Sequence, residues 1–331
     1  MTVLSAETAT KRQGINWSGW AQRLGALIGL VLVFSLFAVL RPRTFLSLDN
    51  LEQIILETAV VATAALGMTL IIISGGIDLS VGSNIAMCTV VVALLLHRGT
   101  NPILAAAGGV AVSACWGLII GGLVTALDLA PFIVTLGLWG GIRGVAKGFA
   151  SNSTVSAPDT WLNSLLTTLG PGQRWMVLPP GVWVTVVLAI AVAGLMRYTK
   201  FGRHLFAVGS NQQTARLCGV NVSRTKLGVY FIGAALAGVA GVLQFSYVTM
   251  GDPTTADGME LDIIAAVVIG GASLTGGEGT VLGTIVGALL MKVVNNGCAK
   301  LHLDNWVQQI VTGAIIITAA ALDRLRHRRA T

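Results

Sequence analysis

Apolar residues run along this chain in long blocks, broken by short polar or glycine-rich stretches. The blocks cover residues 24–40, 54–73, 80–96, 103–127, 129–149, 177–196, 227–248, 261–273, 279–295 and 306–322. Most approach the ~20 residues a helix needs to cross a bilayer, so the pattern predicts about ten transmembrane helices. The eighth block is too short for a simple crossing and is expected to be a half-helix or re-entrant piece. Irregular backbone is not tolerated against lipid, so that piece must face protein or a water-filled path. The predicted fold is an all-α polytopic membrane protein. A single transmembrane unit over 24–323 lies between a polar tail, 1–23, and a basic tail, 324–331. Two polar segments, 150–176 and 197–226, interrupt the series on opposite sides.

Composition agrees with the blocks. Apolar residues make up 54% of the chain and charged residues only 11%, against about 25% charged in soluble domains. A soluble globular fold and a disordered chain are both excluded. The formal charge of +7 does not point to nucleic acid, because the basic residues stand at the ends of apolar blocks, where they orient helices. Lys11, Arg12 and Arg23 precede the first block. Arg197, Lys200, Arg203, Arg216, Arg224 and Lys226 lie between the sixth and seventh, and Arg324, Arg326, Arg328 and Arg329 follow the tenth. With ten crossings these segments share one side, expected to be cytoplasmic. The other side carries 150–176 and the stretch Asp252, Asp257, Glu260, Asp262, which has no base within it.

Candidate chemistry is sparse. Cys88, Cys115, Cys218 and Cys298 show no metal or disulfide spacing and read as small buried hydrophobes. No hydrolytic constellation and no G-x-x-x-x-G-K-[ST] loop occurs. An intramembrane enzyme is therefore unsupported, and no cofactor is expected in this chain. Glycines recur every four residues at Gly140/Gly144/Gly148, Gly117/Gly121 and Gly283/Gly287. Such faces let helices approach closely, within the chain or between subunits. The stretch from Gly75 to Gly82 (GGIDLSVG) has an echo from Gly270 to Gly277 (GGASLTGG), both fitting G-G-x-x-L-[ST]-x-G. Paired glycine-broken segments point to an internal repeat beside a transport path. Gly75, Gly76, Asp78, Ser80, Gly270 and Gly271 are the candidate path or gate residues, together with Arg143 inside the fifth block. Asp78 can instead cap the helix that begins near Ser80, and Arg143 can pair with Glu57 or an outer acid. Lys147 and Lys292 are expected to snorkel to an interface.

The basic segment 197–226 holds one more element. Ser210 or Asn211 suits an N-cap and Gly219 a C′ position. About two helical turns lie between them, too few to stand alone, so they must dock. Either the loop touches anionic lipid or it meets a cytoplasmic partner. Gly209, Ser210, Asn211, Ala215, Arg216 and Gly219 frame the element.

Taken together, these stretches resemble permease subunits of ribose-type ABC importers. The resemblance rests on Gly67 to Ser83 (GMTLIIISGGIDLSVGS), on Phe132 to Gly137 (FIVTLG) with Arg143-Gly144, and on Phe201 to Asn211 (FGRHLFAVGSN). It continues through Ala215-Arg216-Leu217 and Gly219 to Asn221. It ends with Glu260 to Thr280 (ELDIIAAVVIGGASLTGGEGT), Gly283-Thr284 and Asn295-Asn296-Gly297. It covers roughly residues 45–323 in matching order; Glu278 departs from a usual basic residue. The resemblance implies an importer half in the bacterial inner membrane, with both termini cytoplasmic. It pairs with a second permease chain, identical or a sister. An ABC ATPase subunit holding ATP and magnesium docks on the helix near 211–218, and a periplasmic binding protein delivers a sugar. On this view Asp252 and Asp257 meet the binding protein. Two alternatives stay open: a branched-chain amino-acid permease of the same type, and a self-contained secondary carrier using Asp78, Glu57 or Arg143.

Overall fold

The computed structural model describes residues 17–328. Among them stand thirteen helices: α1 Trp17–Leu40, α2 Pro42–Phe45, α3 Leu48–Ile73, α4 Val81–His97, α5 Pro102–Ala126, α6 Pro131–Phe149, α7 Pro180–Tyr198, α8 Lys200–Ser210, α9 Gln212–Leu217, α10 Val222–Val248, α11 Met259–Ile269, α12 Val281–Lys300 and α13 Asn305–Arg328. Ten of these take the places of the ten apolar blocks. Helix α1 begins within the expected tail 1–23, and α13 continues into the expected tail 324–331. Lys11, Arg12 and Arg329 lie outside the described residues. Five helices, α3, α5, α7, α10 and α12, are long and apolar enough to cross a membrane on their own, so the chain is a multi-pass, all-helical membrane protein.

Local chemistry starts the helices. Proline at the first position opens α5, α6 and α7, where the missing N–H costs nothing. Side chains of Ser47, Thr199, Asn221 and Thr280 accept from backbone N–H groups at the starts of α3, α8, α10 and α12.

The core is built on α3, whose most apolar window is 89% buried, against 28% for α7. Helix α10 packs across α5, α3 and α4, and α12 packs against α3 and α11. Glycine makes these crossings close. A Cβ at Gly117 would meet the Tyr230 carbonyl oxygen, and one at Gly287 the Ala266 carbonyl oxygen. The Gly117/Gly121 and Gly283/Gly287 faces therefore pack within the chain. Gly140, Gly144 and Gly148 on α6 meet nothing within 4 Å.

The short eighth block resolves into two parts. Helix α11 has 11 residues, about 16 Å at 1.5 Å per residue. The segment before it runs back along α4. Gly251 lies beside Ala93, the Thr89 hydroxyl bonds Asp252, and Ala256 lies beside Gly82. A run of turns over 253–258, flanked by α4, thus precedes the half-helix, and its irregular backbone lies against protein as the bilayer requires. A two-residue ladder, Val155 opposite Gly251, ties this segment to 150–176.

Candidate functional site: a glycine junction beneath a docking helix

The two glycine elements end their helices in the same way. After α3, Gly75 takes φ +80°, its N–H bonds Ile72 O at 2.9 Å, and Gly76 N–H bonds Ile71 O at 3.0 Å. After α11, Gly271 takes φ +92°, its N–H bonds Val268 O at 2.9 Å, and Ala272 N–H bonds Val267 O at 3.1 Å. Both are Schellman turns, which need a left-handed residue at C′. The geometric partner of Gly75 is therefore Gly271, one place beyond the Gly270 that letter matching pairs with it. Gly270 instead lies tight against the Gly283 backbone. Asp78 accepts from Ser80 N at 2.8 Å and Ser80 Oγ at 2.6 Å, and so braces the start of α4.

The basic loop forms two helices rather than one. Thr199 caps α8, its side chain accepting from Gly202 N at 3.1 Å. Asn211 caps α9, accepting from Thr214 N at 2.9 Å. Gly219, at φ +81°, closes α9 through Gly219 N–H to Arg216 O and Val220 N–H to Ala215 O, both 3.0 Å. Of α9 only Ala215 is buried, in a cluster with Val208 and Val222. Gln212, Gln213, Thr214, Arg216 and Leu217 are exposed, Leu217 at 89%. This six-residue helix thus presents an apolar tip and one guanidinium outward.

These pieces meet at one point. The Gly277 N–H bonds the Ile73 carbonyl at 2.9 Å, joining the α11–α12 connection to the end of α3. Gly209, in the last turn of α8, lies over that bond. A Cβ there would overlap the Ile73 carbonyl oxygen and stand 2.7 Å from Gly277 N. A Cβ on Gly276 would stand 2.8 Å from Gly209 O, and one on Gly277 3.1 Å from Ser210 Cα. Every neighbour is backbone or Cβ, so α8, the end of α3 and the α11–α12 connection touch without long side chains between them. Gly209 of α8 therefore stands in direct backbone contact with the end of α3 and with the connection between α11 and α12. The sequence marked these glycines separately, but gave no sign that they converge.

Other expected residues lie elsewhere. Arg143 is buried on α6 and donates to the Pro253 and Thr255 carbonyls, each at 3.1 Å. Its NH2 stands 3.8 Å from Asp257. It thus pins the turns of 252–258, away from the glycine junction, and pairs with an outer acid rather than with Glu57, which bonds Gln53 and Tyr247. Asp252 accepts from the Thr254 N–H and hydroxyl. The acids of 252–262 do not form an unpaired rim: Asp257 has Arg143, Glu260 is buried, and Asp262 has Lys292 at 3.6 Å. Lys292 therefore does not snorkel, because its partner lies beside it on α11. Cys88 and Cys298 are buried as expected, whereas Cys115 and Cys218 are exposed.

Comparison with known proteins agrees with this geometry. Residues 50–320 match the family described as "Branched-chain amino acid transport system / permease component". The chain is 35% identical to the ribose import permease protein RbsC of Escherichia coli (strain K12), over 98% of this chain and 100% of the relative. It is 34% identical to RbsC of Bacillus subtilis (strain 168), over 95% and 97%. It is 32% identical to the D-allose transport system permease protein AlsC of Escherichia coli (strain K12), over 96% of each. No solved structure gives a significant match. With the glycine turns, the capped α9 and near full-length similarity in agreement, the chain belongs to the ABC-importer permease family, on its ribose-type branch.

Proposed function

We propose that this chain is the membrane-embedded permease subunit of an ATP-driven importer for a monosaccharide delivered by a periplasmic binding protein. The observation that carries this reading is the exposed, doubly capped α9, which starts three residues after the Gly209 contact where α8, the end of α3 and the α11–α12 connection touch. A helix too short to persist alone and left uncovered suits a partner's groove, and its backbone contacts give that partner a lever on the membrane helices. The relatives named for ribose and allose support a sugar over a branched-chain amino acid.

Nine of the helices that match the apolar blocks, and α11 together with the segment before it, make ten passes of the bacterial inner membrane, with the basic end cytoplasmic and both termini on that side. One ABC ATPase subunit takes α9 into its surface, with Leu217 as the apolar contact and Arg216 as the charge-assisted one. ATP and magnesium belong to that subunit. The binding protein meets the opposite end, formed by 150–176 and the 249–258 stretch with Asp252 and Asp257. A second permease chain packs against this one, and the open Gly140/Gly144/Gly148 face supports α6 as its contact. ATP-driven motion of the ATPase would move α8–α9, and Gly209 would carry it to Ile73 and Gly277.

Co-purification tests the reading. The chain expressed with its cognate ATPase should hold that ATPase through detergent extraction, and Leu217→Asp should release it. ATP hydrolysis in liposomes should rise when a sugar-loaded binding protein is added. A complex that holds no ATPase, in a protein that still transports, would overturn the assignment in favour of a self-contained carrier.

A further inference from the structure

A polar cavity of about 500 Å³ opens between α11, α12 and α13, lined by Asp262, Lys292, Asn295, Gln308, Gln309 and Thr312 among others. A second cavity, of about 490 Å³, shares Asn295 and Gln308 with it and reaches Glu57 and Lys300. Both sizes fall in the range of ~300–1,000 Å³ usual for small-molecule sites. The groove is deep: Lys292 lies eight residues before the end of α12, about 12 Å from it.

Such groups do not face lipid. Lys292 and Asp262 keep only 11% and 14% of their side chains exposed, 3.6 Å apart, and Asn295 Nδ2 donates to Asp262 at 2.8 Å. This half of the groove is fixed. On the other wall Gln308 and Thr312 are four apart and share a face of α13 with Gln309. Among the described residues, the Gln309 and Thr312 side chains have no hydrogen-bond partner. Ionisable and amide groups at this depth mark a wet path rather than a packing surface.

Charge narrows the ligand class. Across both cavities the acids Glu57, Asp257 and Asp262 are offset by Lys292, Lys300 and, behind Asp257, Arg143. A groove with donors and acceptors on both walls and no net charge suits a neutral polyhydroxyl compound. Two of these acids are neutralised within the protein, Asp262 by Lys292 and Asp257 by Arg143, and Glu57 is taken up by Gln53 and Tyr247.

We infer that this groove is the outer half of the translocation path. There a neutral polyhydroxylated substrate exchanges water for hydrogen bonds to Gln309, Thr312 and Gln308, which set specificity, against the fixed Asp262–Lys292–Asn295 wall. The inference rests on the importer reading above and deepens it.

The test uses the full complex in liposomes, with D-ribose, D-allose and L-leucine as probes for uptake. Gln309→Leu and Thr312→Val remove hydrogen-bonding groups without touching the Asp262–Lys292 pair. Each should lower uptake of the transported sugar by about fivefold, as expected for one lost hydrogen bond. They should shift the preference between ribose and allose, while ATPase binding and unstimulated ATP hydrolysis stay at wild-type levels. In a chain lacking Cys115 and Cys218, Gln309→Cys should react with a polar thiol reagent more slowly while sugar is being transported. Wild-type rates and preference in both variants, or labelling indifferent to sugar, would overturn the groove assignment while leaving the importer reading intact. If the wild-type complex moves L-leucine and neither sugar, the sugar reading itself fails, and the groove assignment falls with it.

Discussion

Replacing Gly209 with alanine is the sharpest perturbation of the junction. The added methyl would overlap the Ile73 carbonyl oxygen and stand 2.7 Å from Gly277 N, and both atoms are backbone. No side chain can swing aside. Either the Gly277 N–H to Ile73 O bond, 2.9 Å long, breaks, or α8 lifts away. The bond is worth about 1 kcal/mol net, and alanine returns about 1 kcal/mol of helix propensity. Those two contributions cancel, and the overpacking cost of about 1–3 kcal/mol decides. As a coupling energy that range corresponds to a change of about 5- to 150-fold. The assay is sugar uptake per ATP hydrolysed in liposomes, with ATPase pull-down alongside. Gly209→Ala should bind ATPase normally and hydrolyse ATP, yet import poorly. Gly122→Ala in α5, where nothing lies within 4 Å, should import normally and is the matched control. Wild-type uptake per ATP in Gly209→Ala would refute the idea that the stroke passes through this contact.

Four further outcomes are expected. Ala215→Pro removes the Ala215 N–H to Asn211 O bond, 2.9 Å long, and should abolish ATPase pull-down, since proline inside a helix costs about 3 kcal/mol or more. Gly75→Ala and Gly271→Ala force side chains into left-handed backbone and should each cost about 1–2 kcal/mol, read as a lower melting temperature in detergent. Arg143→Met strips the Pro253 and Thr255 carbonyls of their donor and should cost about 3 kcal/mol or more from two charge-assisted bonds, measured the same way. In intact cells a cysteine at Ser153 should react with an impermeant reagent, while one at Ser210 should be protected.

How much the sequence disclosed depended on whether the physics was local. Asn211 and Gly219 marked the ends of α9 because capping is set by a residue and its near neighbours. Helix α8 escaped notice, since Thr199 followed by Lys200-Phe201-Gly202-Arg203 reads as a basic loop and only its packing against α7 and α10 makes it a helix. The glycine echo was visible, but letters cannot report φ, so Gly75 was aligned with Gly270 instead of Gly271. The convergence of Gly209, Ile73 and Gly277 depends on tertiary placement and left no periodic trace. The Lys292–Asp262 pair was hidden for a related reason: neither residue has a partner within its own helix. An acid in the first turn of a short helix and a lysine well inside a long one were the available signals.

The most direct measurement is uptake of radiolabelled D-ribose or D-allose into liposomes holding this chain and its cognate ATPase. ATP and the loaded binding protein are supplied on their proper sides and then withdrawn in turn. Accumulation should require all four components and cease when any one is omitted. Accumulation that persists without ATPase or binding protein, and follows an imposed proton gradient instead, would contradict the assignment.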